Sequence, residues 1–521
     1  MPTTATTATT TPPVPAPAVS PSAAVRLANP DAEAAGCPDR PNTPDVPNSP
    51  NSPDRPNRTA APDAVRRAGG PLPVLGLDVR VPLAGGGEVE YAALDYAASA
   101  PVLRPVWDAV AEYAPYYGSV HRGAGQLSRL STELFEESRA TVARFLGCRA
   151  DDQVVFTRST TDALNLLARA VPAGTRVFVF ETEHHAALLP WRGRDTVWLP
   201  APGSPDEAVA VLEEALRAAA PAGPALVCVT GASNVTGELW PVRELAATAR
   251  RFGARTVLDA AQLAPHRPVD VERLGVDWVA LSGHKLYAPF GAGVLAGRAD
   301  WLDAAEPYLA GGGASGRVSR PARGGVEVEW RTGPARHEAG SPNVIGARAL
   351  AVACEALTGA DFPRLVRRER ALTAWLLDEL ARVPGVRVLS LFGPAADRVG
   401  VVSFVLAGWD SARLAATLAE EFGIGVRDGL FCAHPLVTAL LGPGGADSGP
   451  DSGPGSAPLT GDGAGPEVAG PPPAGRPAPG AGPDARPGVP LSAVRVSFGV
   501  GTPDGHLARF LDAVREVAAR G

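Results

Sequence analysis

Lysine is almost missing from the 521-residue sequence: Lys285 stands alone against 47 arginines. Methionine is as scarce, with Met1 its only representative. A chain this biased toward arginine keeps a lysine where an amine is required, because arginine stays protonated and cannot act as a nucleophilic amine. Chance survival of one lysine is the alternative, and its neighbours must decide. Basic excess is also lacking. The 55 acidic and 48 basic residues leave a net charge of −7 and a pI near 5.7, which argues against a nucleic-acid binder steered by a basic surface. No apolar run reaches the roughly 18 residues that suggest a membrane span. Residues 1–24 are mainly Thr, Pro and Ala, without a basic start or an apolar stretch, so no secretory signal is expected. Cys37, Cys148, Cys228, Cys354 and Cys432 are scattered, odd in number and not in metal spacing. No disulfide framework and no metal site are expected, and a cytoplasmic location fits.

Proline is concentrated in two places. Residues 1–73 hold 17 of the 54 prolines and residues 442–490 hold 13, leaving an ordinary density in the rest. Both stretches are too poor in apolar residues to offset ordering entropy and are expected to be disordered. The expected organisation is a Pro-rich extension at 1–73, a large domain with its preceding segment at 74–335, a small C-terminal domain at 336–441, a Gly/Pro-rich insert at 442–490, and the rest of the small domain at 491–521. The insert reads as neutral, or else as a lid or docking segment; its length costs little, since loop closure grows only logarithmically.

Within the body, short apolar runs at 154–157, 176–180, 225–230, 255–259 and 276–282 alternate with amphipathic helical stretches. Runs this continuous predict strands buried on both faces, hence a mostly parallel α/β sheet with its ligand beyond the carboxyl ends of the strands. The polar residues lie at those ends. The first run leads to Ser159-Thr160-Thr161 at a helix start, suited to an anion, although taken alone such hydroxyls read first as plain caps. The others lead in turn to Glu183-His184-His185, Ser233-Asn234, Asp259 with Gln262, and Ser282-Gly283-His284-Lys285. Together these supply a phosphate cradle, a ring that can stack, amides, a carboxylate and the one amine. That inventory matches pyridoxal phosphate, held as a lysine Schiff base with an acid at the pyridinium nitrogen. A nicotinamide site would need a Gly-rich first turn, and none follows a strand here.

The segments Leu94-Asp95-Tyr96-Ala97-Ala98-Ser99-Ala100, Val120-His121-Arg122-Gly123, Glu183-His184-His185-Ala186, Ser233-Asn234-Val235, Asp259-Ala260-Ala261-Gln262, Ser282-Gly283-His284-Lys285 and Glu338-Ala339-Gly340-Ser341-Pro342-Asn343 resemble the motifs of class V aminotransferase-fold enzymes. Within that group the sequence is most similar to Suf-type cysteine desulfurases and selenocysteine lyases. The resemblance implies a pyridoxal-phosphate-dependent transferase fold of type I, with a mostly parallel seven-stranded sheet in the large domain and a small α+β C-terminal domain. It implies Lys285 as the Schiff-base residue, Asp259 on the pyridine nitrogen, His184 stacked on the ring, and Asn234 and Gln262 at the phenolic oxygen. Thr160, Thr161, Ser282 and His284 would hold the phosphate, with Ser341 reaching in from the second subunit of a homodimer. Arg495 would grip the substrate carboxylate, with Arg427 and His121 near the substrate. Cys432 would accept sulfur from L-cysteine and pass it to an acceptor protein.

One loop departs from the family pattern. Two histidines usually precede the cysteine, whereas here Leu430 and Phe431 do, and Asp428 replaces a hydroxyl residue. Two other readings therefore stay open. One is an aminotransferase, lyase or epimerase of the same fold acting on another amino acid, with Cys432 incidental. The other is a non-catalytic scaffold whose Pro-rich arms bind partners as extended segments.

Overall fold

The computed structural model describes residues 61–321, 324–442 and 492–520. The extension before residue 61 and the insert from 443 to 490 lie outside the described residues. The main sheet has seven strands: β1 Asp152–Thr157, β2 Arg176–Phe180, β3 Thr196–Leu199, β4 Ala225–Thr230, β5 Arg255–Asp259, β6 Trp278–Ser282 and β7 Gly293–Arg298. Their order is β1-β7-β6-β5-β4-β2-β3. The pairs from β6 through β3 are parallel, while β7 runs antiparallel to both β6 and β1. The mostly parallel seven-stranded sheet is therefore present as expected.

Alternation along the strands explains why they read as continuous apolar runs. Val177, Val179, Leu226, Cys228 and Val257 enter one apolar cluster, while Phe178, Phe180, Val227, Val229 and Leu258 enter another. Helix α1 (Thr160–Ala170) covers the first face with Leu164 and Leu167. Helices Pro205–Ala219, Val242–Arg251 and Val344–Gly359 cover the second. With both faces dry, each buried Leu, Val or Phe contributes about 1.5–3 kcal/mol.

Three details differ from the sequence-based expectation. The 154–157 run belongs to an edge strand that is only half-buried at its ends and pairs solely with the antiparallel β7. The 276–282 run begins pairing at Trp278. β3 and β7 escaped notice because Trp198 is exposed and Gly293 and Gly297 interrupt the second of them. Gly293 is needed there: a Cβ would lie 2.6 Å from Ser159 Cα, at the start of α1.

A second sheet holds β8 Val386–Val388, β9 Val401–Leu406, β10 Arg427–Gly429 and β11 Ala493–Ser497, antiparallel in the order β8-β9-β11-β10. Helices Phe362–Leu380, Ser411–Phe422 and Asp504–Ala518 pack on it. The amino-terminal segment joins this layer, which corrects the expected grouping of 74–335. Ala92 and Leu94 lie in its core, and strand Ala92–Ala93 pairs parallel with Ile424–Gly425. Residues 61–73, assigned from composition to the extension, include helix Asp63–Arg67, whose Val65 is buried in the same core. Among the described residues no helix is long and apolar enough to cross a membrane.

A buried ion pair fastens the two sheets. Glu238, from the loop after β4, accepts hydrogen bonds from Leu391 N, Phe392 N and Ser390 Oγ, and from Arg398 Nη2 at 3.1 Å. Arg398 also donates to Thr236 O and Leu389 O. Removing one partner strands the other without water, so E238A should lower the unfolding free energy by about 3–5 kcal/mol, seen as a lower urea midpoint. A midpoint equal to wild type would show that the pair does not hold the sheets together.

Candidate active site

The carboxyl ends of β4, β5 and β6, with the segments after β1 and β2, surround one cavity of about 310 Å³. Its walls include Thr160, Thr161, His184, Asn234, Asp259, Gln262, Ser282, His284 and Lys285, and on the opposite side Arg427, Cys432 and Arg495. The structure thus brings together every expected site residue except His121 and Ser341. His121 sits on an exposed turn with a left-handed φ of 59°, its Nε2 3.0 Å from Glu136 Oε1. It does not line the cavity of this copy. Ser341 is also exposed, next to Gly340, whose carbonyl accepts from Arg122. Its expected role was in a second copy, and the cavity of one copy is built without it.

At the start of α1 the capping task falls to Ser159, whose Oγ accepts from Asp162 N. Thr160 is left for other work. Its N–H donates to Ser282 Oγ and its hydroxyl shares a hydrogen bond with the same oxygen, both at 2.8 Å, so the β6 loop and the helix start form one hydroxyl cup. The two amides keep part of their capacity. Asn234 donates from Nδ2 to Phe431 O at 2.7 Å and Gln262 from Nε2 to Ala97 O at 2.8 Å, leaving each NH₂ a second N–H.

Burial sets the protonation states. It lowers Lys285 from the usual lysine value to about 8, with Asp259 opposing the shift. It lowers His184 to about 3, with Lys285 adding to the effect. His184 Nδ1 accepts from Ala186 N at 3.0 Å, so the ring is neutral and flat. Burial raises the Asp259 carboxyl, against the Ala261 N–H that donates to it and the charge of Lys285. Glu183 was not given a role in the sequence. Burial, then Asp259, push its carboxyl well above the carboxylate range; Oε1 accepts from Thr230 N, while Oε2 has no partner. Among the carboxylates acting on Lys285, Asp259 has the larger effect and Asp95 the smaller.

Arg495 comes from β11 and is 4 % exposed. Its Nη1 donates to Asn234 O at 3.0 Å and its Nη2 to Asp95 Oδ1 at 2.8 Å, while Nε has no partner. The guanidinium carbon lies 5.1 Å from the centre of the Phe431 ring. Asp95 is the second residue that sequence reasoning left without a role. Its motif was visible, but its link to Arg495 spans 400 positions. Cys432 is exposed at the cavity wall, and its carbonyl accepts from His185 N at 2.8 Å.

The profile of the family described as Aminotransferase class-V matches residues 92–445, a stretch that contains all of these groups except Arg495. The chain belongs to this family. Among its relatives, the cysteine desulfurase of Pectobacterium atrosepticum is 37% identical over 360 residues, covering 66% of this chain and 84% of that protein. The probable cysteine desulfurase of Aeropyrum pernix is 38% identical over 358 residues, covering 66% and 85%. The apo structure of the cysteine desulfurase from Thermococcus onnurineus superposes with a TM-score of 0.67 at 29% identity, covering 83% of this chain and 96% of that one. Membership of the class-V family implies pyridoxal phosphate as cofactor.

With a single lysine, an amine-directed reagent reports on Lys285 and the amino terminus alone. Labelling of the Lys285 peptide in cofactor-free protein should rise with pH through a half-point near 8, because only the neutral amine reacts. Peptide mass after labelling across a pH series measures this. Labelling that keeps climbing toward the ordinary lysine range of about 10.4 would contradict the burial argument.

Proposed function

We propose that this protein removes sulfur from L-cysteine with bound pyridoxal phosphate, giving alanine and a persulfide on Cys432. The observation that carries this reading is the meeting, in one cavity, of the only lysine, a buried carboxylate, a neutral imidazole, a buried arginine and an exposed thiol. The relatives' names agree with it.

The residues fit the cofactor. The hydroxyl cup of Thr160 and Ser282 at the helix start suits a phosphate, with Thr161 and His284 beside it. Asp259 suits a pyridinium nitrogen, the spare N–H groups of Asn234 and Gln262 suit a phenolic oxygen, and the His184 ring suits a stacked aromatic face. When bound, the cofactor supplies an electron sink that stabilises negative charge at the substrate Cα.

The remaining work belongs to the chain. Lys285, with a neutral amine available near pH 8, holds the cofactor and, once released, takes the Cα proton. Arg495 binds the substrate carboxylate. Burial strengthens that contact, a second N–H on each of its Nη atoms is left to donate, and Asp95 and Asn234 O fix the plane of the guanidinium. The Cys432 thiolate attacks the substrate sulfur, so that an S–S bond forms as the Cβ–S bond breaks; the electron pair of the broken bond stays on the carbon skeleton, which takes up protons and leaves as alanine.

A second reading rests on Phe431, whose ring covers Arg495 where the family pattern has a polar residue. In that reading the enzyme acts on another amino acid and Cys432 is idle. Mixing the purified holoprotein with L-cysteine and a reductant separates the two. Alanine and sulfide should form in equal amounts, and C432S should lower both by about 100-fold or more, the scale of losing a covalent nucleophile. Undiminished alanine from C432S, or turnover that requires a 2-oxo acid, would favour the second reading.

A further inference from the structure

A second cavity, of about 620 Å³, shares no lining residue with the active site. Three arginines line it: Arg169 near the end of α1, and Arg192 and Arg194 on the turn that leads into β3. Asn165 and Tyr308 add polar groups, and no carboxylate lines it. The turn is anchored from below. Trp191 is fully buried and donates from Nε1 to Ala187 O at 2.7 Å, and Gly193, with a left-handed φ of 80°, lets the chain bend between the two arginines. Arg194 Nη2 donates to Ala168 O of α1. Arg169 Nη1 donates to Tyr308 O at 3.3 Å, with its guanidinium carbon 5.8 Å from the centre of the Tyr308 ring. Side chains from three separate stretches of chain therefore meet around one opening.

Arginine is common in this chain, but not at this density: at 47 in 521 residues, nine lining positions would hold about one. These three form no ion pair among the described residues. Asp195, next to Arg194 in the chain, is paired with Arg176 at 2.6 Å. Asp162, which accepts from the Tyr308 hydroxyl, is paired with Arg158 at 2.9 Å. Attraction to the carbonyl end of α1 accounts for one N–H of Arg194 and for none of Arg192. Cations gathered at one cavity repel, and an anion among them removes that cost. We propose that this cavity binds a small molecule carrying two or more phosphate groups. Its volume lies within the range of about 300–1,000 Å³ typical of small-molecule sites. Each guanidinium offers a planar fork that fits two oxygens of an oxyanion. A phosphate can share its terminal oxygens between forks from different elements, whereas a carboxylate has a single two-oxygen edge. Three cations also exceed the charge of one phosphate, about −2 at pH 7. The site lies outside the active-site cavity, so it stands or falls independently of the desulfurase reading.

The test is calorimetric titration of full-chain holoprotein with pyrophosphate at low salt, with citrate titrated in parallel. Pyrophosphate should saturate one site per chain, half-filled well below about 1 mM, and should bind more weakly as salt is raised. Citrate should bind at least about tenfold more weakly. R192E and R169Q should each weaken pyrophosphate at least about tenfold, the scale of one charge-assisted hydrogen-bonding partner. Arg192 is exposed and its side chain makes no hydrogen bond among the described residues, so R192E should keep the wild-type melting temperature even if R169Q does not. Pyrophosphate bound equally by wild type and R192E overturns the proposal, because the anion then sits elsewhere. Absence of saturable binding in wild type overturns it too, and a change in the size of R192E on gel filtration would in that case assign the arginines to a contact between copies of the chain. Citrate binding as tightly as pyrophosphate overturns the phosphate assignment.

Discussion

The guanidinium of Arg495 is the constraint on which the rest of the site depends. It enters from the second sheet, is cut off from solvent, and is held by Asn234 O from the main-sheet side and by Asp95 from the amino-terminal segment. The Phe431 ring lies against it, so the thiol-bearing loop is fixed to the same group. Three separate stretches of chain thus share one cation. A charge this buried is costly unless its donors are used, and each partner that lowers the cost also aligns a part of the active site. The Glu238–Arg398 pair repeats the arrangement one step further out, where it fixes the loop that presents Asn234.

Burial also divides the chemistry among groups that would otherwise behave alike. Glu183 and Asp259 are carboxyls at the ends of β2 and β5, on either side of β4, yet Glu183, wholly buried and facing Asp259, is pushed furthest toward the neutral form. His184 is held neutral, and Lys285 is brought to where its amine is available near pH 8. One low-dielectric cavity therefore yields an acid, a base and a flat neutral ring without any residue type being unusual. At the hydroxyl cup Ser159 rather than Thr160 caps α1.

Much of this was legible in the sequence, for definite reasons. Strands buried on both faces leave continuous apolar runs, so β2, β4 and β5 were found with their limits, and β6 to within two residues. The site residues follow those runs directly, which is why Asp259, Gln262 and Lys285 could be placed together. Lys285 stood out because nothing else in the chain is a lysine. The misses have physical causes as well. β3 is half-exposed and β7 is broken by glycines that close packing demands. Asp95 finds its partner 400 positions away in sequence, and no local pattern encodes such a distance. The place of the amino-terminal segment in the second layer was hidden for the same reason, since Val65, Ala92 and Leu94 find their core beside Leu372 and Val496.

The central claim is that these elements converge so that sulfur leaves the substrate for one particular thiol. The most direct measurement is the mass of the Cys432 peptide after a single turnover of holoprotein with L-cysteine in the absence of reductant. The account predicts a gain of one sulfur atom on that peptide, none on the peptides of Cys148, Cys228 or Cys354, and no gain in K285A. Alanine released with Cys432 unmodified, or sulfur on another cysteine, would contradict it.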